Sequence, residues 1–216
     1  MLLTTPSAAT LVHHADASIL RADQHHSKLD RAAFQARGFT SPKVRHLLNN
    51  LGSLEGLHYL EVGVHRGATF VAANYGNQLE SATAVDNWSE FAEDGEVKEQ
   101  FLHHCSTLLK AGSYRFLEQD CFTIVPAQLP APINFYLFDG EHTRDAQRRA
   151  LTHFLPMLDD VCLFVVDDYT WEEARTGTQD AIAELGLEVL YARELVEGWW
   201  NGLYVSVLRK PHRPGA

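Results

Sequence analysis

The chain has 216 residues, 45% of them hydrophobic, with 18 basic against 28 acidic residues and a formal net charge of −10. That length suits one domain with a sizeable core, and the charge argues against nucleic acid or an anionic membrane as partner, since both need a positive face. Cys105, Cys121 and Cys162 show no CxxC spacing, and no signal-peptide pattern or apolar run of roughly 18 residues is present. The expectation is a cytoplasmic protein whose partner is a small molecule, with no nucleic-acid or membrane partner.

Residues 1 to 53 read as an N-terminal helical arm and cap. Its first part is polar and Ala-rich, with the pairs His13-His14 and His25-His26; adjacent histidines do not share a helix face, which predicts a solvated arm. Ser41-Pro42 then opens a helix by the N-cap and N1 rule, with Val44, Leu47, Leu48 and Leu51 on one face and Gly52 closing it against the mouth of the sheet.

Residues 54 to 210 read as alternating strands and helices. The first strand, 57–62, runs into Glu61-Val-Gly63-Val-His-Arg-Gly67 and a short helix ended by Gly76-Asn77. A glycine turn between strand and helix lets a ligand approach the backbone, although Gly63 and Gly67 also suit a plain turn. A second strand, 82–85, ends in Asp86, nineteen residues past Gly67. That spacing suits an acceptor for ribose hydroxyls, or a helix N-terminal charge. A helix over 93–110 follows, then a third strand, 114–117, with Asp120 and Cys121 just beyond it. Asp120 suits either an adenine amino group or a loop carboxylate in water.

The fourth strand, 133–138, ends in Asp139-Gly-Glu141-His142. A helix over 143–158 points Arg144, Arg148 and Arg149 mostly outward, a solvated face rather than a phosphate site, and a fifth strand, 161–166, ends in Asp167-Asp168-Tyr-Thr-Trp171. After a helix over 172–185, strands 187–191 and 203–208 are joined by Gly198-Trp199-Trp200-Asn201-Gly202, short enough to require an antiparallel pair. Residues 211 to 216 read as a mobile tail. Two parallel strands ending side by side in carboxylates mark the ligand edge of an open α/β sheet. Two like charges ~4 Å apart repel by about 4 kcal/mol at an effective dielectric of 20. A hard divalent cation is the simplest remedy.

Five β-α steps followed by an antiparallel hairpin resemble a class I S-adenosylmethionine-dependent methyltransferase over residues 54 to 208. The resemblance implies an α/β fold: a Rossmann-like, doubly wound, seven-stranded sheet with an antiparallel C-terminal hairpin in a three-layer sandwich. Glu61-x-Gly63-x-x-x-Gly67 is similar to the motif that binds the methionine portion, with His65 where many members carry glycine. By the same resemblance Asp86 binds ribose, Asp120 and Cys121 lie at adenine, and Asp139 borders the cofactor. Asp139, Asp167 and Asp168 resemble the metal triad of magnesium-dependent O-methyltransferases. The Asp-Gly-Glu-His and Val-Val-Asp-Asp-Tyr contexts look closest to the sugar (macrocin/rhamnose-type) enzymes.

The implied cofactors are S-adenosyl-L-methionine and Mg2+ or a similar divalent cation, and the implied acceptor is a hydroxyl of a sugar or other natural product. His142, with an ordinary pKa near neutrality, is favoured as general base, and Glu141 matches an acidic residue with that role in another branch. Trp88, Trp171, Trp199 and Trp200 sit at strand ends or in the closing hairpin, where one can stack on adenine or a sugar; hairpin packing is the expectation for the last two. A nicotinamide enzyme is disfavoured because Gly-x-Gly-x-x-Gly is missing. A phosphatase is disfavoured because Asp139-x-Glu141-x-Thr143 falls on the fourth strand. A metal-free methyltransferase and a non-catalytic cofactor binder stay open, as does a homo-oligomer.

Overall fold

The computed structural model describes residues 5–91 and 95–211. Strands β1 (His58–Val62), β2 (Ser81–Val85), β3 (Arg115–Leu117), β4 (Ile133–Phe138), β5 (Leu158–Val166), β6 (Glu188–Leu195) and β7 (Leu203–Arg209) form one sheet in the order β3-β2-β1-β4-β5-β7-β6. The first five are parallel, and β7 runs antiparallel to both β5 and β6. This is the Rossmann-like methyltransferase architecture expected from the order of elements.

Two-residue alternation along the buried strands builds a core on each face. Tyr59, Phe135, Leu137, Leu163 and Val165 meet helices α1 (Ala8–Asp23), α2 (Pro42–Leu51), α3 (Ala68–Asn74) and α4 (Glu96–Leu108). Leu60, Tyr136, Phe138, Phe164 and Val166 meet α5 (Arg144–Thr152) and α6 (Glu172–Glu184). The result is helix, sheet and helix in three layers. Among the described residues no helix is long and apolar enough to cross a membrane.

The N-terminal segment differs from a solvated arm. Leu11, Ala15, Ser18 and Ala22 are buried along α1, against α2 and the sheet end at β7. His14 Nε2 lies 2.9 Å from the Leu51 carbonyl, while His13, His25 and His26 are exposed. The polar sequence hid a stripe of small residues that lets α1 approach α2 closely. Ser41 caps α2 as expected, its hydroxyl accepting from Val44 N, and the same hydroxyl donates to the Trp199 carbonyl at 2.5 Å. Rather than lying at the mouth, α2 packs between α1 and α3, and the loop before it reaches the cleft.

Other boundaries move for local reasons. The helix expected over 143–158 stops at Thr152, because Pro156 has no N–H for the Thr152 carbonyl and its ring crowds that position. A 3-10 turn, Leu155–Met157, leads straight into β5, which begins at Leu158. On the other side of the hairpin β6 continues to Leu195, paired with Leu203. The expected start of α4 at Glu93 and most of the tail lie outside the described residues.

Helices α5 and α6 are held together by a close contact at Gly177. A Cβ there would sit 2.3 Å from the Arg144 carbonyl and 2.8 Å from Gln147 Cβ. Arg144–Asp180 and Arg148–Glu184 pair across the same seam, but exposed pairs add little. Gly177→Ala should therefore cost about 1–3 kcal/mol through overpacking, read as a lower urea midpoint with an unchanged m-value.

Candidate active site

The strand register sets the site. Val62 pairs with both Val85 and Phe138, and Phe138 with Val166. Level strand ends put Gly63, Asp86, Asp139 and Asp167 in one row at the switch between β1 and β4, where doubly wound sheets bind ligands. A cleft of about 620 Å³ opens there, a usual size for a small-molecule site. The loops after β1 to β5, residues Gly38 to Thr40 and Asn201 line it.

At the end of β1 Gly63 has φ +85°, and a Cβ would fall 1.9 Å from the Asp139 carbonyl. Only glycine lets β1 and β4 close this tightly while the turn stays open to a ligand. Asp86 accepts from His65 N at 2.8 Å and from Trp88 N at 2.7 Å. Burial raises the Asp86 pKa. Trp88 packs under the turn against Phe101 and Phe116 and donates from Nε1 to the His65 carbonyl at 2.9 Å. Across the cleft Asp120 caps a 3-10 turn beside half-buried Cys121, whose thiol burial pushes up to about 12.

Glu61 does not line the cleft. Alternation along β1 turns it into the core, fully buried, where it accepts from the Tyr59 hydroxyl and from Thr69 Oγ1 at 2.6 Å. Desolvation outweighs both hydrogen bonds and lifts its pKa to about 8. Arg149 also departs from expectation: its guanidinium lies 3.8 Å over the Phe122 ring and borders the cleft instead of facing water.

At the ends of β4 and β5 the structure brings together Asp139, His142 and Asp168, whose ligand atoms lie within 4.8 Å of one another. His142 Nε2 is 3.0 Å from Asp168 Oδ2 and 3.7 Å from Asp139 Oδ1. Asp167 stands beside this trio, its Oδ1 accepting from Asp168 N at 2.9 Å. Desolvation, then Asp167 and Glu61, drive the Asp139 pKa well up, and desolvation lifts Asp167 to about 6. Asp168 beside it raises His142. Glu141 lies on the cleft wall, exposed to water.

Five of the six non-glycine residues with positive φ among the described residues belong to this region: His65, Trp88, Asp168, Trp199 and Asn201. Such backbone costs energy and persists where the surroundings impose it. Sequence reasoning missed Gly38–Thr40, Arg149 and Asn201 as cleft residues, since nothing local marks a loop that reaches the site only through packing.

The methyltransferase-domain family matches residues 60–169, just over half of the chain. The chain belongs to that family. No curated protein matches it by sequence. Among solved structures it is similar to the O-methyltransferase TomG of Streptomyces achromogenes, involved in tomaymycin synthesis and bound to SAM (14% identity, 92% of this chain and 98% of that one, TM-score 0.59). SAH-bound methyltransferase PaMTH1 of Podospora anserina is similar over 98% and 100% of the two chains (10% identity, TM-score 0.63). Cofactor-bound Rv0187 from MTB is similar over 91% and 90% (13% identity, TM-score 0.59). At these identities the likeness speaks for the fold, and the family match carries the class I methyltransferase assignment.

Glu61 yields a pH signature. Its folded pKa of about 8 exceeds the ordinary 4.5, so between those values the native state holds more protons than the unfolded state. Stability from this group falls as pH rises through that window. Glu61→Gln should make the decline of melting temperature between about pH 5 and pH 8 shallower and raise stability at the alkaline end, measured by calorimetry across buffers.

Proposed function

We propose that the protein is an S-adenosylmethionine-dependent O-methyltransferase acting on a hydroxyl of a small molecule, a sugar or another natural product, with Mg2+ or a similar divalent cation. The observation that carries this reading is the placement of His142 against Asp139 and Asp168 at the acceptor end of a cleft whose other end holds the Gly63 turn and Asp86. The donor chemistry fits both groups. Asp86 presents a carboxylate at the end of β2 to a ribose diol, the Gly63 turn leaves backbone accessible, and Asp139, Asp167 and Asp168 are hard oxygen donors.

S-adenosylmethionine, when bound, supplies an electrophilic methyl group. A divalent cation, when bound, supplies positive charge that makes an aliphatic hydroxyl easier to deprotonate. The Gly63 turn and Asp86 hold the cofactor in one orientation, and placement of the acceptor oxygen in line with the methyl carbon supplies much of the acceleration. His142 takes the hydroxyl proton at Nδ1, while Nε2 keeps its proton for Asp168. Asp168 and Asp139 stabilise the imidazolium that results. Glu141, exposed on the wall, is placed to contact the acceptor's other polar groups.

A metal-free variant of this chemistry has one specific observation in its favour. His142 already sits between two carboxylates, and its positive charge offsets theirs. The raised His142 pKa then keeps the base protonated above its ordinary 6.5, so turnover without metal should show an acid limb above that pH.

Two measurements test these readings. S-adenosylhomocysteine at a hundred times its dissociation constant should add about 2.7 kcal/mol, a rise of roughly 5–10 °C in melting temperature for this size, with a further rise on adding magnesium. His142→Gln should lower kcat by roughly 10²–10⁴-fold with that thermal shift retained. Turnover undiminished by a chelator would select the metal-free route; unchanged kcat in His142→Gln would remove His142 as base.

A further inference from the structure

The outer edge of the sheet carries a second groove, separate from the cleft. It encloses about 530 Å³ between α1 and β6. Ala8, Ala9 and Val12 line it from α1, Leu190 and Tyr191 from β6, and Arg209 from β7. β6 is the outermost strand, yet its register with β7 shifts between Val189 and Tyr191. A bulge of that kind keeps an edge strand from pairing with another chain. The groove therefore suits a helix rather than a further strand.

The helix that fits it is α1 of a second copy. Ala9, His13, Asp16 and Leu20 are spaced four, three and four residues apart, the spacing that keeps one stripe facing a partner helix. At 3.6 residues per turn this stripe lies opposite the buried one of Leu11, Ala15, Ser18 and Ala22. Leu20 is 62% exposed, whereas Leu11 of the same helix is wholly buried. One exposed leucine is ordinary, but this one stands at the end of α1 away from the groove. A two-fold axis across the middle of α1 sets two such helices antiparallel and brings Leu20 of each copy beside Ala9 of the other, large against small, at the groove. The same rotation sets His13 opposite Asp16 twice.

Charge on this face permits the approach. The chain carries −10 overall, and such a charge keeps copies apart. Here, however, Arg193 lies 3.5 Å from Asp16 and Arg209 2.9 Å from Glu188, so these four charges cancel. The Asp16 side chain accepts from the Tyr191 hydroxyl at 3.0 Å and is still 47% exposed. His13, exposed, has a ring N–H to donate to it. A locally neutral face gives a strongly charged partner no purchase, and a face that is its own complement makes a closed two-fold pair. We infer that the protein forms a homodimer through antiparallel α1 helices, with Leu20 of each copy seated at the groove of the other and His13 bonded to Asp16. No residue of α1 lines the cleft, so both clefts stay open and the dimer is independent of what they bind.

Sedimentation equilibrium of the full chain, from low to high micromolar, tests this. The expected species has twice the 24.2 kDa mass of the chain. Leu20→Glu should raise the dissociation constant by about ten-fold or more. His13→Glu, which sets like charges opposite Asp16, should do the same, both with an unchanged circular dichroism spectrum. Register is read by mixing Ala9→Cys with Leu20→Cys under glutathione disulfide: a crosslinked pair should form in the mixture and in neither variant alone. A monomer at every concentration overturns the proposal, as does a dimer indifferent to both charged substitutions. A mixture that does not crosslink, or Ala9→Cys crosslinking by itself, overturns the antiparallel register. If Leu20→Glu loses its fold, His13→Glu decides. S-adenosylhomocysteine binding should be the same in all these variants, and its failure in the unaltered chain bears on the methyltransferase reading alone.

Discussion

Crowded negative charge at one edge of the sheet is the constraint around which this protein is arranged. Asp86, Asp139, Asp167 and Asp168 stand at the ends of neighbouring strands, with Glu61 buried just behind them. At such spacings in a partly dehydrated cleft, mutual repulsion and desolvation both disfavour ionisation. The fold answers in several ways: backbone N–H groups hold Asp86 and Asp167, two hydroxyls hold Glu61, and His142 stands between Asp139 and Asp168. What is left over is capacity to hold a cationic or hydroxyl-rich ligand.

That arrangement depends on backbone tolerances of a few tenths of an ångström. Gly63 lets β1 close against the Asp139 carbonyl, and without it the strand ends would not be level. Gly38 does the same for the N-terminal loop, where a Cβ would sit 2.6 Å from Ala68 Cβ. The second contact brings Phe39 and Thr40 over the turn after β1. Packing in the two cores and chemistry in the cleft are thus coupled through glycine contacts.

Much of this was legible beforehand. The strand ends, the carboxylates beyond them, the Ser41-Pro42 helix start and the antiparallel closure are encoded in short stretches where period, cap and turn residues agree. Other features were not legible, for physical reasons. The small-residue stripe of α1 has little hydropathy contrast, so its burial depends on the partner helix. Glu61 was assigned to the ligand although strand alternation turns it inward. Arg149 lies on a helix whose neighbouring arginines pair with α6, and only its position over Phe122 separates it from them.

By itself the sequence determined the order of strands and helices, the family resemblance and the presence of a carboxylate-rich ligand edge, because each is written in local pattern and spacing. The tertiary structure alone decided which carboxylates His142 meets and that the loop before α2 reaches the cleft. Those outcomes depend on register between strands and on contacts between segments more than a hundred residues apart, such as Ser41 with Trp199. No local pattern carries that information.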